Sequence, residues 1–81
     1  MYVLVKTESS RPVKPTKVIN MLRKKVLSYD MVEVYENGIL QIEGQDYLVD
    51  YGRLRVKSLL PLKWNGQDSV LTLKYFLDIS K

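Results

Sequence analysis

Acidic side chains are the first candidates for chemistry in this sequence. Five of them fall within one short stretch, at Glu33, Glu36, Glu43, Asp46 and Asp50. Two carboxylates held close together can act as a general acid and base or hold Mg²⁺. These carboxylates, however, alternate with apolar residues, as on the solvent-facing side of any β-strand. We therefore predict that the protein is not an enzyme and that it uses no metal, other cofactor or small-molecule substrate.

Basic side chains form a second candidate group. The net charge is +4, from 13 Lys and Arg against 9 Asp and Glu. Residues 1–28 hold seven bases and one acid, residues 29–50 six acids and no base, and residues 51–81 six bases and two acids. We favour mutual neutralisation of these blocks, within the fold or between neighbouring copies. The alternative is contact with nucleic acid, through Lys17, Arg23, Lys24, Arg53, Arg55 and Lys57.

Length and missing residue types limit the remaining classes. The 81 residues form one domain, and so small a domain gains stability from docking or oligomerisation. The absence of Cys and His removes disulfides, thiolate chemistry, zinc fingers and the usual neutral-pH base. Six tyrosines suggest a base-stacking platform, but tyrosine is also a favoured strand residue. We find neither a membrane-spanning run nor a signal peptide and expect a cytoplasmic protein, or one in a particle assembled in the cytoplasm.

Two β-hairpins between Met31 and Lys57 organise the rest of the chain. Asn37-Gly38 between apolar runs is a strong hairpin signal, because both residues tolerate positive φ. We predict a three-residue loop over 36–38, since that register faces Val34 with Leu40 and Val32 with Ile42 on one apolar side.

The second hairpin turns at Tyr51-Gly52, with a loop of two or four residues. Both loop lengths give one apolar side, and the expected cross-strand ion pairs help to set the register without holding the fold. The apolar side holds Tyr47, Val49, Leu54 and Val56, and the expected ion pairs are Asp50 with Arg53 and Asp46 with Lys57.

The flanking segments complete the predicted fold. We expect strands over 2–5 and 70–77, a loop or mobile Pro-rich arm over 7–15, and an amphipathic helix over 16–28 with Thr16 as its N-cap. The helix covers the apolar side of the hairpins. The predicted class is α+β, an antiparallel sheet or small open barrel of five to six strands with one packed helix.

Several side chains are left over as candidate contacts with partners. Phe76 points away from the apolar side of the last strand, and with Ile79 it suggests a second buried surface. Trp64, the single tryptophan, is either a core plug or an interface anchor. The full candidate set for partner binding is Arg11, Pro12, Lys14, Leu27, Trp64, Phe76 and Ile79.

The stretch from Val34 to Val49 resembles a pattern in bacteriophage tail-fibre and other virion structural modules. In that pattern a hydrophobic strand runs into Asn-Gly, a Leu-Gln pair, Glu-Gly, Asp-Tyr and another strand, here Asn37-Gly38, Leu40-Gln41, Glu43-Gly44 and Asp46-Tyr47. A strand, a Pro-bearing loop and a terminal strand ending in aromatics follow, so the resemblance covers residues 32–77. The resemblance implies a structural or assembly protein of a phage-like virion, such as a head, neck, tail or baseplate component.

Two functional hypotheses follow. The first is a structural protein that docks with copies of itself and with other virion proteins, located in the virion. The alternative is a small basic module that binds nucleic acid on its β-sheet. Neither hypothesis involves a membrane.

Overall fold

The computed structural model describes residues 1–12, 15–22, 29–59, 64 and 69–80, which form seven β-strands. A four-stranded antiparallel sheet has the order β1-β7-β3-β4, and a three-stranded antiparallel sheet has the order β2-β6-β5. The strands are β1 (Tyr2–Ser10), β2 (Val18–Asn20), β3 (Met31–Glu36), β4 (Ile39–Leu40), β5 (Tyr47–Asp50), β6 (Arg55–Ser58) and β7 (Leu71–Asp78).

The core lies between the two sheets. β7 sits between β1 and β3 and alternates as predicted, with Leu71, Leu73 and Tyr75 buried. Their neighbours on β3 are the buried Val32 and Val34. The three-stranded sheet contributes Tyr47 and Val56, and the segments outside the strands contribute Met21, Tyr29 and Trp64.

The α+β prediction is wrong, because the described residues contain seven strands, no helix and no closed barrel. Within the expected helix over 16–28, Val18–Asn20 instead pairs with β6, and Thr16 forms a bridge with Trp64. The remaining part, residues 23–28, lies outside the described residues. Ile19, Met21 and Leu22 therefore reach the core without a helix, because pairing with β6 prevails over local helical periodicity.

The expected arm over 7–15 also begins later than predicted. β1 continues through Thr7–Ser10 in register with Leu71–Lys74 of β7. An irregularity between Leu4 and Lys6 shifts the pairing by one residue. Such a bulge turns the following side chains to the other side of the strand, so Leu4 lies on the outer side of the sheet whereas Glu8 lies on the inner side.

The three-residue loop predicted for the first hairpin is wrong. Tyr35 pairs with Leu40 and Glu36 with Ile39, which leaves a two-residue loop. Both loop residues have positive φ, 53° at Asn37 and 83° at Gly38, as a type I′ turn requires. Turn geometry prevails over the hydrophobic pattern here because β4 has only two residues to bury. As a result Leu40 and Ile42 face solvent, and Gln41 is buried instead.

The second hairpin has the four-residue loop. Val49 pairs with Val56 on the inner side, which confirms the predicted apolar side. The predicted ion pairs are wrong, because the register differs by two positions and places Asp50 opposite Arg55 instead of Arg53. The Asp50 carboxylate instead accepts a hydrogen bond from the Arg53 backbone amide at 3.1 Å, and Leu54 closes the loop with φ 55°.

Candidate docking surfaces

An apolar row crosses the outer side of the four-stranded sheet. Leu4 on β1 lies beside Phe76 on β7, which lies beside Met31 on β3. Leu4 is 51% exposed, and the other two side chains are half-buried. The neighbouring row on this side is polar, formed by Thr7, Lys74 and Glu33. Phe76 therefore lies where the alternation of β7 predicts, and the structure adds two apolar neighbours to it.

Opposite charges flank this apolar row along β7. The Lys74 ammonium group lies 4.6 Å from the centroid of the Tyr35 ring. On the other flank, the Asp78 carboxylate accepts hydrogen bonds from the Ser80 hydroxyl and amide and lies 3.4 Å from the N-terminal amine. The Ser80 hydrogen bonds, followed by the amine, lower the pKa of Asp78 to about 2. Asp78 is therefore negatively charged at neutral pH.

A second apolar feature, which we call the hairpin tip, comprises Ile39, Leu40 and Ile42. These side chains are 68%, 51% and 55% exposed. Hydrogen bonds hold the backbone at both ends of the hairpin tip. The Asn37 amide donates to the Val70 carbonyl at 2.8 Å, and the Ile42 amide donates to the Asp46 carboxylate at 2.9 Å. The hairpin tip is therefore a fixed projection, ordered before any contact.

An open groove of about 410 Å³ runs along the outer edge of β2. Its sequence neighbours are basic, since residues 11–20 contain three bases and no acid. No described strand pairs with this edge of β2. The Val18 amide donates to the Thr16 hydroxyl at 3.2 Å, and the same hydroxyl donates to the Val18 carbonyl at 3.1 Å. The groove is lined by Ser10, Pro12, Pro15, Thr16, Val18, Ile19 and Asn20.

A basic face lies on the outer side of the three-stranded sheet. Arg55 and Lys57 alternate with the buried Val56 on β6, and Arg53 lies in the loop that precedes β6. Lys17 directly precedes β2, and its carbonyl accepts a hydrogen bond from Ser58 at 2.7 Å. All four basic side chains are exposed, and none forms an ion pair with a described carboxylate. Asp50 opposite Arg55 is the acidic residue nearest in the register.

Tyrosine hydroxyls connect the elements that carry these surfaces. The Tyr75 hydroxyl accepts from the Leu22 amide at 3.2 Å and donates to the Glu8 carboxylate at 3.0 Å. The Tyr29 ring packs on the Tyr75 ring with centroids 5.0 Å apart. The Tyr29 hydroxyl donates to the Leu22 carbonyl at 3.0 Å. The Tyr47 side chain is also buried in the core. Tyr29, Tyr47 and Tyr75 thus belong to the core, and Tyr47 and Tyr75 do so from strands, as their strand propensity predicts.

Burial of these tyrosines makes the fold sensitive to alkali. Burial raises the pKa of Tyr47 to about 12 and that of Tyr75 further above its usual range. The folded protein therefore keeps protons that the unfolded chain releases near pH 10. We expect the free energy of unfolding to be unaffected by these groups below pH 10 and then to fall, by up to about 1.4 kcal/mol per pH unit for each tyrosine. Urea unfolding measured between pH 8 and about pH 11.5 tests this.

The matched variant for the alkaline experiment is Tyr47→Phe, which keeps the buried ring and removes the ionisable hydroxyl. Lysine deprotonation contributes equally in both proteins, so their difference isolates Tyr47. A shallower decline in the variant is expected. Identical slopes above pH 10 would contradict the assignment.

The other predicted site residues are distributed as follows. Trp64 is completely buried, which favours the core-plug interpretation over the interface anchor. Arg11 is exposed at the end of β1, Pro12 lines the groove and Ile79 is 54% exposed. The structure places Arg55 and Lys57 on the outer side of β6, Arg53 in the loop before β6, and Lys17 just before β2, opposite Ser58. The predicted residues that lie outside the described residues are Lys14, Arg23, Lys24 and Leu27.

Sequence reasoning missed the hairpin tip and the groove. The hairpin tip was missed because the wrong register placed Leu40 and Ile42 in the core. The preference of Asn37-Gly38 for a type I′ turn is the signal that predicts the correct register, in which Leu40 and Ile42 face solvent. The groove could not be expected, because the local pattern predicts a helix over residues 16–20, which supply four of its lining residues.

Comparison of the chain with family models, with curated proteins and with solved structures finds no match. No helix among the described residues is long and apolar enough to cross a membrane. In the described ranges, no group of three or more acidic side chains is arranged as a metal site.

Proposed function

We propose that this protein is a non-enzymatic assembly protein of a phage-like particle, which acts by docking onto copies of itself. The observation that carries the proposal is the apolar row Leu4–Phe76–Met31 on the outer side of the four-stranded sheet. Three adjacent apolar side chains on three strands form a surface that gains free energy when a second surface covers it. The resemblance of residues 32–77 to virion modules supports the same assignment.

The charges around the apolar row suit a second copy of the chain. A two-fold axis along the row would place Phe76 against Phe76 and reverse the direction of β7 in the second copy. Residues two positions on either side of Phe76 then exchange places, so that Lys74 of one copy faces Asp78 of the other. The contact thus buries the apolar row and pairs opposite charges on both of its flanks.

Leu4→Ser is the direct test of this surface. Each two-fold contact loses two half-exposed leucines, so we expect the dissociation constant for self-association to rise by about tenfold or more. Sedimentation equilibrium measures the change. The matched control is Leu48→Ser, because Leu48 is 48% exposed on the outer side of the other sheet. Equal effects of the two substitutions on the association constant would contradict the proposed surface.

A second candidate function is nucleic-acid binding through the basic face. The observation that favours it is the placement of four exposed basic side chains without ion pairs to described carboxylates, at Lys17, Arg53, Arg55 and Lys57. Exposed Val18 and Leu48 flank Lys57 in the register and offer apolar contact beside the charge. Phosphate contacts from such a face bind nucleic acid without sequence preference.

Gel retardation with single-stranded and duplex DNA tests the second candidate. Binding is expected at about 50 mM salt and is expected to weaken strongly at about 200 mM. The double substitution Arg55→Gln with Lys57→Gln should abolish it. The control, Lys6→Gln with Lys74→Gln, removes the same charge from the other sheet and should retain binding. Absence of retardation at the lower salt concentration eliminates this candidate.

A further inference from the structure

A small polar pocket opens where the end of β2 meets the loop that precedes β6. It has a volume of about 320 Å³, and we call it the arginine pocket, after its lining of Asn20, Met21, Arg53, Leu54 and Arg55. We infer that the arginine pocket binds a phosphate group. The inference goes beyond the proposed self-assembly and does not depend on it, because none of the lining residues belongs to the apolar row.

Strand pairing and hydrogen bonds fix the walls of the arginine pocket. Asn20 pairs with Arg55 across β2 and β6, and the Met21 amide donates to the Leu54 carbonyl at 2.8 Å. Leu54 has φ 55°, so the chain turns between Arg53 and Arg55 instead of continuing as a strand. Met21 is part of the core, and Leu54 packs against it. The backbone that carries the polar side chains is therefore held in place before a ligand binds, which lowers the entropic cost of binding.

Among the described residues, the lining of the arginine pocket carries two positive charges and no acid. Arg53 and Arg55 are exposed, and neither forms an ion pair with a described carboxylate. The nearest acidic residue in the register is Asp50, which lies on β5, on the other side of β6 from Asn20. Asp50 does not line the pocket, and its carboxylate accepts a hydrogen bond from the Arg53 amide at 3.1 Å. The two guanidinium groups are therefore available to an anion.

The donors of the arginine pocket suit a phosphate group better than a carboxylate. Each guanidinium group presents five N–H donors, and the side-chain amide of Asn20 adds two. A carboxylate offers a single negative charge and two acceptor oxygens, whereas a phosphate group carries about −1.5 to −2 charges at neutral pH and three strong acceptor oxygens. Arginine also matches phosphate in a bidentate geometry. Two arginines and an amide therefore match phosphate in both charge and number of acceptors.

The phosphate group can belong to a small compound or to the backbone of a nucleic acid. Lys57 is exposed on the same outer side of β6, two positions beyond Arg55. A nucleic acid that extends from the arginine pocket along β6 thus meets further positive charge, whereas a small phosphate compound contacts the pocket alone. The test therefore uses one probe of each kind.

Titration of the isotope-labelled full chain with inorganic phosphate, followed by NMR at constant ionic strength, tests the inference. We expect saturable shifts of the side-chain signals of Asn20, Arg53 and Arg55, and no saturable shift when chloride replaces phosphate. The double substitution Arg53→Gln with Arg55→Gln should raise the Kd for phosphate by about tenfold or more, because it removes the charge-assisted hydrogen bonds. Both side chains are exposed, so the variant should fold, and the dispersion of its own spectrum verifies this.

The matched control is Lys6→Gln with Lys74→Gln, which removes the same charge from the other sheet and should leave the Kd for phosphate unchanged. A single-stranded thymidine oligonucleotide is the second probe. Saturable shifts of the pocket signals with the oligonucleotide assign the site to backbone phosphates, whereas shifts with inorganic phosphate alone assign it to a small phosphate compound. No saturable shift of these signals with either probe, or an equal loss of affinity in the two double variants, contradicts the inference and leaves the proposed self-assembly standing.

Discussion

Replacing Trp64 with alanine is expected to lower the free energy of unfolding by about 3–5 kcal/mol. The indole is completely buried, and the Trp64 carbonyl accepts the Thr16 amide at 3.0 Å. Truncation leaves a large cavity in the core. The free energy of unfolding of a domain of this size is only about 4–12 kcal/mol, so we expect a substantial unfolded fraction of the variant. Far-UV circular dichroism during urea unfolding measures the change without relying on tryptophan fluorescence.

Trp64→Phe is the matched control for that experiment. The indole N–H makes no hydrogen bond to any described residue. Its removal therefore costs little, and phenylalanine refills part of the volume. We expect the phenylalanine variant to lose less than half as much stability as the alanine variant. A loss of less than about 1 kcal/mol for Trp64→Ala would contradict the role of Trp64 as a core plug.

Tyr75→Phe is expected to cost about 2 kcal/mol, since the hydroxyl bonds a carboxylate and a backbone amide. The substitution leaves the half-buried Glu8 carboxylate and the Leu22 amide without this partner. It also removes the side-chain hydrogen bonds that link β1 to the segment following β2. For a domain of this length the loss corresponds to a fall of about 8–16 °C in Tm, which calorimetry or a thermal melt will resolve.

Tyr35→Phe is the control for Tyr75→Phe, because it removes the same atom from the outer side of the sheet. The Tyr35 hydroxyl donates to Glu33 at 2.9 Å. The Glu33 carboxylate can bond water once this contact is lost, so the free energy of unfolding should change by no more than about 0.5 kcal/mol. Equal losses for the two tyrosines would show that the buried hydroxyl network contributes nothing specific.

The β-hairpins and the last strand could be predicted from the sequence because their patterns are local and strong. Period-two alternation correctly placed Leu71, Leu73 and Tyr75 inside and Phe76 outside. The same argument placed Val49 and Val56 on one side. It erred at Leu40 and Ile42, where a two-residue strand carries too little apolar area to override the preference of Asn37-Gly38 for a type I′ turn.

The helix prediction failed for a different reason. Val18, Ile19 and Leu22 fit a period of 3.6, but three residues of that stretch also alternate, with Ile19 half-buried between exposed Val18 and Asn20. So short a segment satisfies both periods, and its pairing with β6, more than 30 positions away in sequence, decides between them. Because the groove depends on that pairing, it could not be predicted from local patterns.

The most direct test of the account is the molar mass of the wild-type chain by light scattering across a concentration series, at low and high salt. At low salt the account predicts a mass that rises with concentration above the 9.5 kDa of one chain. At high salt the mass should fall back toward that value, because the opposite charges of Lys74 and Asp78 flank the apolar row. A mass of one chain at every concentration and salt level would contradict the proposal that this fold works by docking onto itself.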